Sequence, residues 1–248
     1  MATAAQIEPV EPTFPSNPIY IFADIETESV QGNILLQLAA VTLTGEQFNI
    51  FINPCTTLPE ACTNFLGLYF ENGALYRNGK ILPSYNIFLA LNHFIDWLSQ
   101  FKQPIILVFH NGFSFDCYVL AKFLTKFYLS LPSDILVSDT LPYFRQHLKP
   151  PLVPNHKLTT LSDHFKIAHE HAHDALSDSL ALKGICQQIV VENNIDFEEI
   201  FKISFRNFSE YTNYYLTGKP IVPFKRKNRK RSKKPKIEIQ QQVASDQA

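Results

Sequence analysis

Apolar positions along this chain follow two periods, and the switches between them outline its elements. The run Ile19-Tyr20-Ile21-Phe22, preceded by Pro18, is β-branched and aromatic and too short for a buried helix, so it reads as a central strand. After a turn at Gly32, Ile34 to Leu43 and Phe48 to Ile52 predict two further strands, joined by a Thr44-Gly45-Glu46 turn. Three sequential strands with short connections predict an antiparallel meander, which Pro54 ends. The period then changes. Ile87, Phe88, Leu91, Phe94, Ile95 and Leu98 recur at helical spacing, predicting a helix capped by Ser84 and running to about Phe101. A strand at Ile105 to Phe109 leads into a helix marked by Val119, Leu120, Phe123, Leu124 and Phe127. A short strand at Ile135 to Val137, a short helix at Leu158 to Phe165 and a long helix carrying Leu176, Leu180, Leu182, Ile185, Ile189 and Val190 complete the pattern.

Between these elements the chain is punctuated by turns. Thr56 to Leu68 is expected to be helical and then irregular, leading to a turn-rich segment through Gly73 and Gly79. Pro150, Pro151 and Pro154 make a stiff loop. From Phe197 to Leu216 the aromatics Phe201, Phe205, Phe208, Tyr211, Tyr214 and Tyr215 fall near helical spacing, which favours core packing over stacking on bases. Residues 1–17 hold prolines and acidic residues and little to bury, so they are expected to be a disordered leader rather than a signal peptide. Residues 18–216 form one domain in this reading, and residues 217–248 a disordered tail.

Composition changes the picture mainly through charge. The 248 residues are 46% hydrophobic and 18% charged, ordinary for a globular chain, and no apolar stretch approaches a membrane span of ~20 residues. The formal net charge of −1 hides an asymmetry. Up to Phe224 there are 13 basic residues against 21 acidic, whereas Lys225, Arg226, Lys227, Arg229, Lys230, Arg231, Lys233, Lys234 and Lys236 crowd into the tail. The body is acidic and the tail basic. The four cysteines, Cys55, Cys62, Cys117 and Cys186, show no CxxC pair, which reads as reduced thiols of the nucleus or cytosol.

Candidate chemistry lies in three places. Asp24 and Glu26 end the first strand two positions apart, so both carboxylates share one face. Like charges that close are costly unless a cation sits between them, although a polar turn closing a strand is the plainer explanation of the pair alone. Asp116 stands in the first turn of the helix after the Ile105 strand, in His110-Asn111-Gly112-Phe113-Ser114-Phe115-Asp116. The helix dipole alone would account for a carboxylate there. Thirdly, His173 and Asp178, five residues apart, open the long helix within His-Asp-Ala-Leu-Ser-Asp. His169 and Asp174 have the same spacing, and His169, Glu170 and His171 otherwise read as a solvated loop.

Taken in order, DIET, HNGFSFD and HDALSD resemble the three motifs of the DEDDh, or DnaQ-like, 3′-to-5′ exonucleases over residues 18–192. HNGFSFD followed by VLAKFL is most similar to the TREX-like and PML-associated members. The resemblance favours His173 with Asp178, because that register has the alanine at the family position. The element order β-β-β-α-β-α-β-α-α matches an RNase H-like α/β fold: a mixed five-stranded sheet flanked by helices. The resemblance implies that Asp24, Glu26, Asp116 and Asp178 ligate two Mg²⁺ ions, with Mn²⁺ as a substitute and Asp24 bridging, while His173 acts as general base. It implies release of 5′-mononucleotides from a 3′ end. The terminal nucleotide would be held around Ile25, Glu26 and Thr27, with Leu66 and Gly67 against its base. Relatives carry Thr-Gly-Leu near the latter, and here the threonine is missing, so a helix C-cap at Gly67 is an equal explanation. Asp139, in Asp-Thr-Leu, is expected to support the fold without touching metal.

Single-stranded DNA or DNA 3′ ends are the expected partner, with RNA as the alternative substrate. A nucleic-acid-binding module that keeps the fold without catalysis is the reading from another class. The tail cluster fits a nuclear localisation signal first, an electrostatic hook for nucleic acid second and a solvated end third. The nucleus is therefore the expected location, with the cytoplasm left open.

Overall fold

A computed structural model describes residues 12–132 and 135–221. The first strand, β1 (Ile19–Thr27), lies at the centre of a seven-stranded sheet. It pairs antiparallel with β2 (Leu35–Thr42), which pairs antiparallel with β3 (Gln47–Ile52), so the predicted meander forms. All eight residues of β2 are buried. After α1 (Glu60–Leu66), the segment expected to be turn-rich is instead a three-stranded antiparallel sheet of β4 (Leu68–Glu71), β5 (Ala74–Arg77) and β6 (Lys80–Leu82). Its strands are three or four residues long, below the length at which sequence alternation becomes visible.

The two-residue strand β7 (Ser84–Tyr85) adds to the edge of β3. Ser84 therefore belongs to a strand and does not cap the next helix. That helix, α2 (Ile87–Leu98), begins one turn-setting residue later, where the Asn86 side chain accepts a hydrogen bond from the Leu89 N–H, and it ends before Phe101. On the other side of β1, β8 (Ile105–Phe109) runs parallel to it, and a 3₁₀ turn over Gly112–Ser114 leads to α3 (Asp116–Lys126). There is no room for a side chain at Gly112, because a Cβ would lie 2.3 Å from that of Phe109. β9 (Leu136–Asp139) follows in parallel with β8, then α4 (Leu141–His147), α5 (Leu158–Phe165) and the 19-residue α6 (Ala175–Asn193). The chain closes with α7 (Phe197–Phe201), β10 (Phe205–Asn207) and α8 (Ser209–Thr217).

The sheet order is β10-β9-β8-β1-β2-β3-β7. Its five central strands are those expected from the sequence, and the difference from a five-stranded sheet lies in two short edge strands, β7 and β10. One face carries Ile21, Ala23 and Ile25 into a core with α2, α3 and α8. The other carries Tyr20 and Phe22 into a core with Leu182, Ile185 and Ile189 of α6 and with Phe201. Phe201, Phe208 and Tyr211 are buried, as core packing required. Phe14, in the stretch expected to be a leader, packs edge-on against Phe205 with ring centroids 5.2 Å apart. The rest of that leader up to residue 11, and the basic cluster of the tail, lie outside the described residues. Among the described residues no helix is long and apolar enough to cross a membrane.

Candidate active site

The strand alternation that buries Tyr20 and Phe22 carries Asp24 and Glu26 onto the same face of β1. In register, Asp24 lies opposite Ala39 and Glu26 opposite Gln37 on β2. A small residue beside Asp24 leaves room above the sheet, and the N-terminal end of α6 fills the space with Asp178 in its first turn. Asp116 arrives from β1's other side. The β1–β8 ladder stops at Phe22 and Val108, so the last residues of β1 have no partner in β8. Into that gap α3 brings Asp116, only 5% exposed, whose carboxylate accepts from the Ile25 N–H.

The carboxylates act on one another. Burial raises Asp24 well above the usual carboxylate range, and the charges of Asp116, Glu26 and Asp178 raise it further. Glu26 is pushed up to about 8 by burial and then by Asp178, Asp116 and Asp174, with Arg77 pulling the other way. Asp116 is raised to about 7, chiefly by burial, although its own N–H and that of Ile25 hold it down. Asp178 is raised by burial too, against the opposing pull of His169. Ligand atoms of Glu26, His173 and Asp178 all lie within 4.8 Å of one another. The four acids and one histidine separated by up to 154 positions in sequence thus form one charge-coupled cluster.

His173 does not lie in the helix but just before it, with a left-handed backbone at φ 65°. Such a conformation costs a residue with a Cβ roughly 1–2 kcal/mol, so neighbouring contacts must hold it. Its imidazole lies tilted against the ring of Phe65, with centroids 3.9 Å apart. Phe65 is itself 65% exposed.

The two histidine registers separate cleanly. Asp174 is the N-cap of α6, accepting from the Ser177 N–H at 3.0 Å, and it forms an ion pair with Arg77. Burial would raise it, but the Arg77, Ser177 and Gln37 hydrogen bonds outweigh burial and hold it below the usual range. Asp178 is the aspartate that faces the cluster. His169, read from sequence as solvated, is a correction: its side chain is 5% exposed, and its Nε2 lies 2.5 Å from Asp178 Oδ1. Its own Nδ1 faces Ser162. A loop position among other polar residues gave no sign of this burial.

The residues expected around the terminal nucleotide divide. Ile25 turns its side chain into the core, leaving only its backbone toward the site. Thr27 is buried and donates from Oγ1 to the Ser29 carbonyl at 2.7 Å. Leu66 packs into a small core with Leu36, Leu58, Cys62, Leu68 and Leu75. Gly67 is the C-cap of α1, with φ 68° and its N–H bonded to the Thr63 carbonyl. The outward-facing residue of this segment is Phe65, which the sequence reading passed over. Asp139 accepts from the N–H groups of Asn111, Phe113 and Leu141, and so serves the fold.

A mixed sheet with helices on both faces, and acids gathered at the end of its central strand, defines an RNase H-like fold. Solved structures agree. The zinc-bound form of Escherichia coli exonuclease I with single-stranded DNA matches with a TM-score of 0.58 at 18% identity, covering 80% of this chain and 45% of that one. Exonuclease I from Methylocaldum szegediense matches with a TM-score of 0.57 at 18% identity, covering 75% and 43%. In sequence, the chain is similar to exonuclease DPD1, chloroplastic/mitochondrial, of Arabidopsis thaliana, at 28% identity over 192 residues. That similarity covers 73% of this chain, and the chain spans 58% of the relative's length. No family model matches. The resemblance to the DnaQ-like exonucleases read from the three motifs is borne out by these two kinds of similarity.

Proposed function

We propose that this protein is a metal-dependent 3′-to-5′ exonuclease that hydrolyses the last phosphodiester of a nucleic acid and releases 5′-mononucleotides. The observation that carries this reading is the group formed at the end of β1 by Glu26, His173 and Asp178, whose ligand atoms lie within 4.8 Å of one another, with the buried Asp24 and Asp116 coupled to it by charge. Crowded, buried carboxylates with raised pKa values are a donor set suited to hard divalent cations, Mg²⁺ foremost and Mn²⁺ as a substitute. Asp24, Glu26, Asp116 and Asp178 would hold these ions, with Asp24, on which the other three carboxylates act, as the innermost ligand. When bound, such ions supply positive charge at the attacking water and at the leaving oxygen.

The chain's own residues do the rest. His173, beside Glu26 and Asp178 and braced by Phe65, takes the proton of the attacking water. The Glu26 and Thr27 end of β1 holds the terminal sugar, and the exposed ring of Phe65 closes the near side of the site. Single-stranded DNA is the favoured substrate, in keeping with the DNA-bound exonuclease I structures. The narrower TREX-like reading rests on HNGFSFD-VLAKFL alone.

The test is a gel of 5′-labelled single-stranded DNA and its RNA counterpart in Mg²⁺, with chelator and with Asp24→Asn and His173→Ala variants alongside. Ladders shortening from the 3′ end, lost with chelator and in both variants, are expected, DNA being the faster. Binding without shortening in either Mg²⁺ or Mn²⁺ overturns the assignment in favour of a binding module. In this reading the basic cluster from Lys225 to Lys236 directs nuclear import, whereas the Arabidopsis relative carries organelle names. Deleting residues 225–248 from a fluorescent fusion should abolish nuclear accumulation while leaving turnover of a short oligonucleotide unchanged.

A further inference from the structure

Arg77 links the small sheet to the loop that carries His173. It stands at the end of β5, and its guanidinium does three things at once. Nη1 pairs with Asp174 Oδ2, Nη2 donates to the His173 carbonyl at 3.3 Å, and Nε donates to the Leu66 carbonyl at 3.3 Å. The Phe51 ring lies beneath it, 5.5 Å from its central carbon. One planar cation thus ties α1, the His173 peptide and the cap of α6 together.

Gln37 completes the clamp from the sheet. It is fully buried in the middle of an apolar strand, directly opposite Glu26. A buried amide in such a place must find partners, and two of its three hydrogen bonds are directed at the same loop. Nε2 donates to Asp174 Oδ2 at 3.1 Å and to Asn49 Oδ1 at 3.0 Å, while Oε1 accepts from the Ala175 N–H at 3.2 Å. Asp174 is therefore held by Arg77, Gln37 and the Ser177 N–H, and the left-handed residue just before it is held by its carbonyl on one side and by Phe65 on the other.

We propose that Arg77, with Gln37, is a positioning group for His173. The fork of Arg77 fixes the backbone from which the imidazole projects, and its charge keeps Asp174 occupied, so that Asp178 is left to face the cluster. Arginine is required because lysine, a single point charge on a flexible stem, cannot bond Asp174, the His173 carbonyl and the Leu66 carbonyl together. Since Arg77 ends β5, the small sheet becomes part of the catalytic apparatus at one remove.

The inference rests on His173 being the base of the proposed reaction, and its test separates the two ideas. In saturating Mg²⁺, Arg77→Ala should lower kcat for 3′ shortening about tenfold or more, as loss of an orienting partner does, with KM within about twofold. Arg77→Lys should fall between. Added guanidinium should restore part of the rate to Arg77→Ala and none to His173→Ala. The Arg77→Ala His173→Ala double variant should be no slower than His173→Ala alone, because a group acting through another adds nothing once that other is gone. Multiplying effects, or a rise in KM alone, would overturn the proposal. Independently of activity, the His173 ring resonances should shift in Arg77→Ala while the melting curve stays cooperative. If the wild type shortens no polymer yet those resonances shift, the exonuclease reading fails and the clamp stands; unmoved resonances with an active wild type sink the clamp alone.

Discussion

Two buried aspartates lie within reach of each other's charge, and they are handled in opposite ways. Asp139, 4% exposed, sits at the end of β9 and receives three backbone N–H groups, from Asn111 at 2.9 Å, Phe113 at 3.2 Å and Leu141 at 2.9 Å. Asp116, 5% exposed, sits at the start of α3 and shares its surroundings with Asp24, Asp178 and Glu26. Burial pushes both upward, but at Asp139 three N–H donors answer the charge, whereas at Asp116 two N–H groups do so while Asp139 and Asp178 compound it. The first arrangement stabilises a loop. In the proposed function the second is a cost the fold carries until a cation arrives, which is how a binding site would differ from a structural one.

Neutralising one acid on each side breaks this comparison most sharply. Asp24→Asn should cut exonuclease rate by at least ~100-fold, since removing a ligand exceeds the 10–100-fold typical of groups behind the ligands. The same change should leave the metal-free protein as stable as before or more so, because a buried repulsive acid has become neutral. Asp139→Asn should do the reverse. Three N–H groups lose an ionised acceptor and one of them faces an amide donor, a loss of about 2–3 kcal/mol. The melting temperature should drop by roughly 5–10 °C for a chain of this size, with kcat per folded molecule little changed. Calorimetry alongside the gel assay checks both.

The acid cluster also gives the metal-free protein a distinctive pH dependence. Glu26 titrates near 8 in the folded chain against 4.5 when free, and Asp116 near 7 against 3.8. Between those values the folded protein holds more protons than the unfolded one, so stability must fall as pH rises. The contribution is whole below about pH 4 and gone above about pH 8. Melting in chelator should therefore be lower at pH 8.5 than at pH 5, and Mg²⁺ should raise it far more at pH 8.5. A flat or rising profile would remove the electrostatic argument for the site. The smallest expected effect is at His169, which holds Asp178 from behind: His169→Gln should raise the Mg²⁺ concentration needed for half-maximal rate about tenfold, with kcat at saturation nearly kept.

The part of this design that is local was legible in the sequence. Asp24 and Glu26 follow from strand alternation, Asp116 from a helix start after a strand, and Asp178 from the motif resemblance that favoured it over Asp174. The support was not legible, because it is built from pairs far apart. Gln37 and Asp174 are separated by 137 positions and Arg77 and Asp174 by 97. In LLQLAAVT a glutamine reads only as an interruption, and Arg77 ends a four-residue strand inside a stretch whose glycines suggested turns. His169 was hidden for a related reason: whether a loop histidine is buried depends on α5 and α6 closing over it. Phe65 shows the limit of carrying positions over by motif, since α1 turns its neighbour Leu66 inward and presents Phe65 instead.

The early end of the β1–β8 ladder gives the site a built-in reporter. Because β8 stops pairing at Val108, the Ile25 amide is held by a side chain, that of Asp116, in place of a neighbouring strand. Its exchange with solvent deuterium is therefore governed by a carboxylate that metal would engage and protons would neutralise. A single backbone amide near the end of β1 becomes a meter of the state of the acid cluster, readable without substrate or turnover.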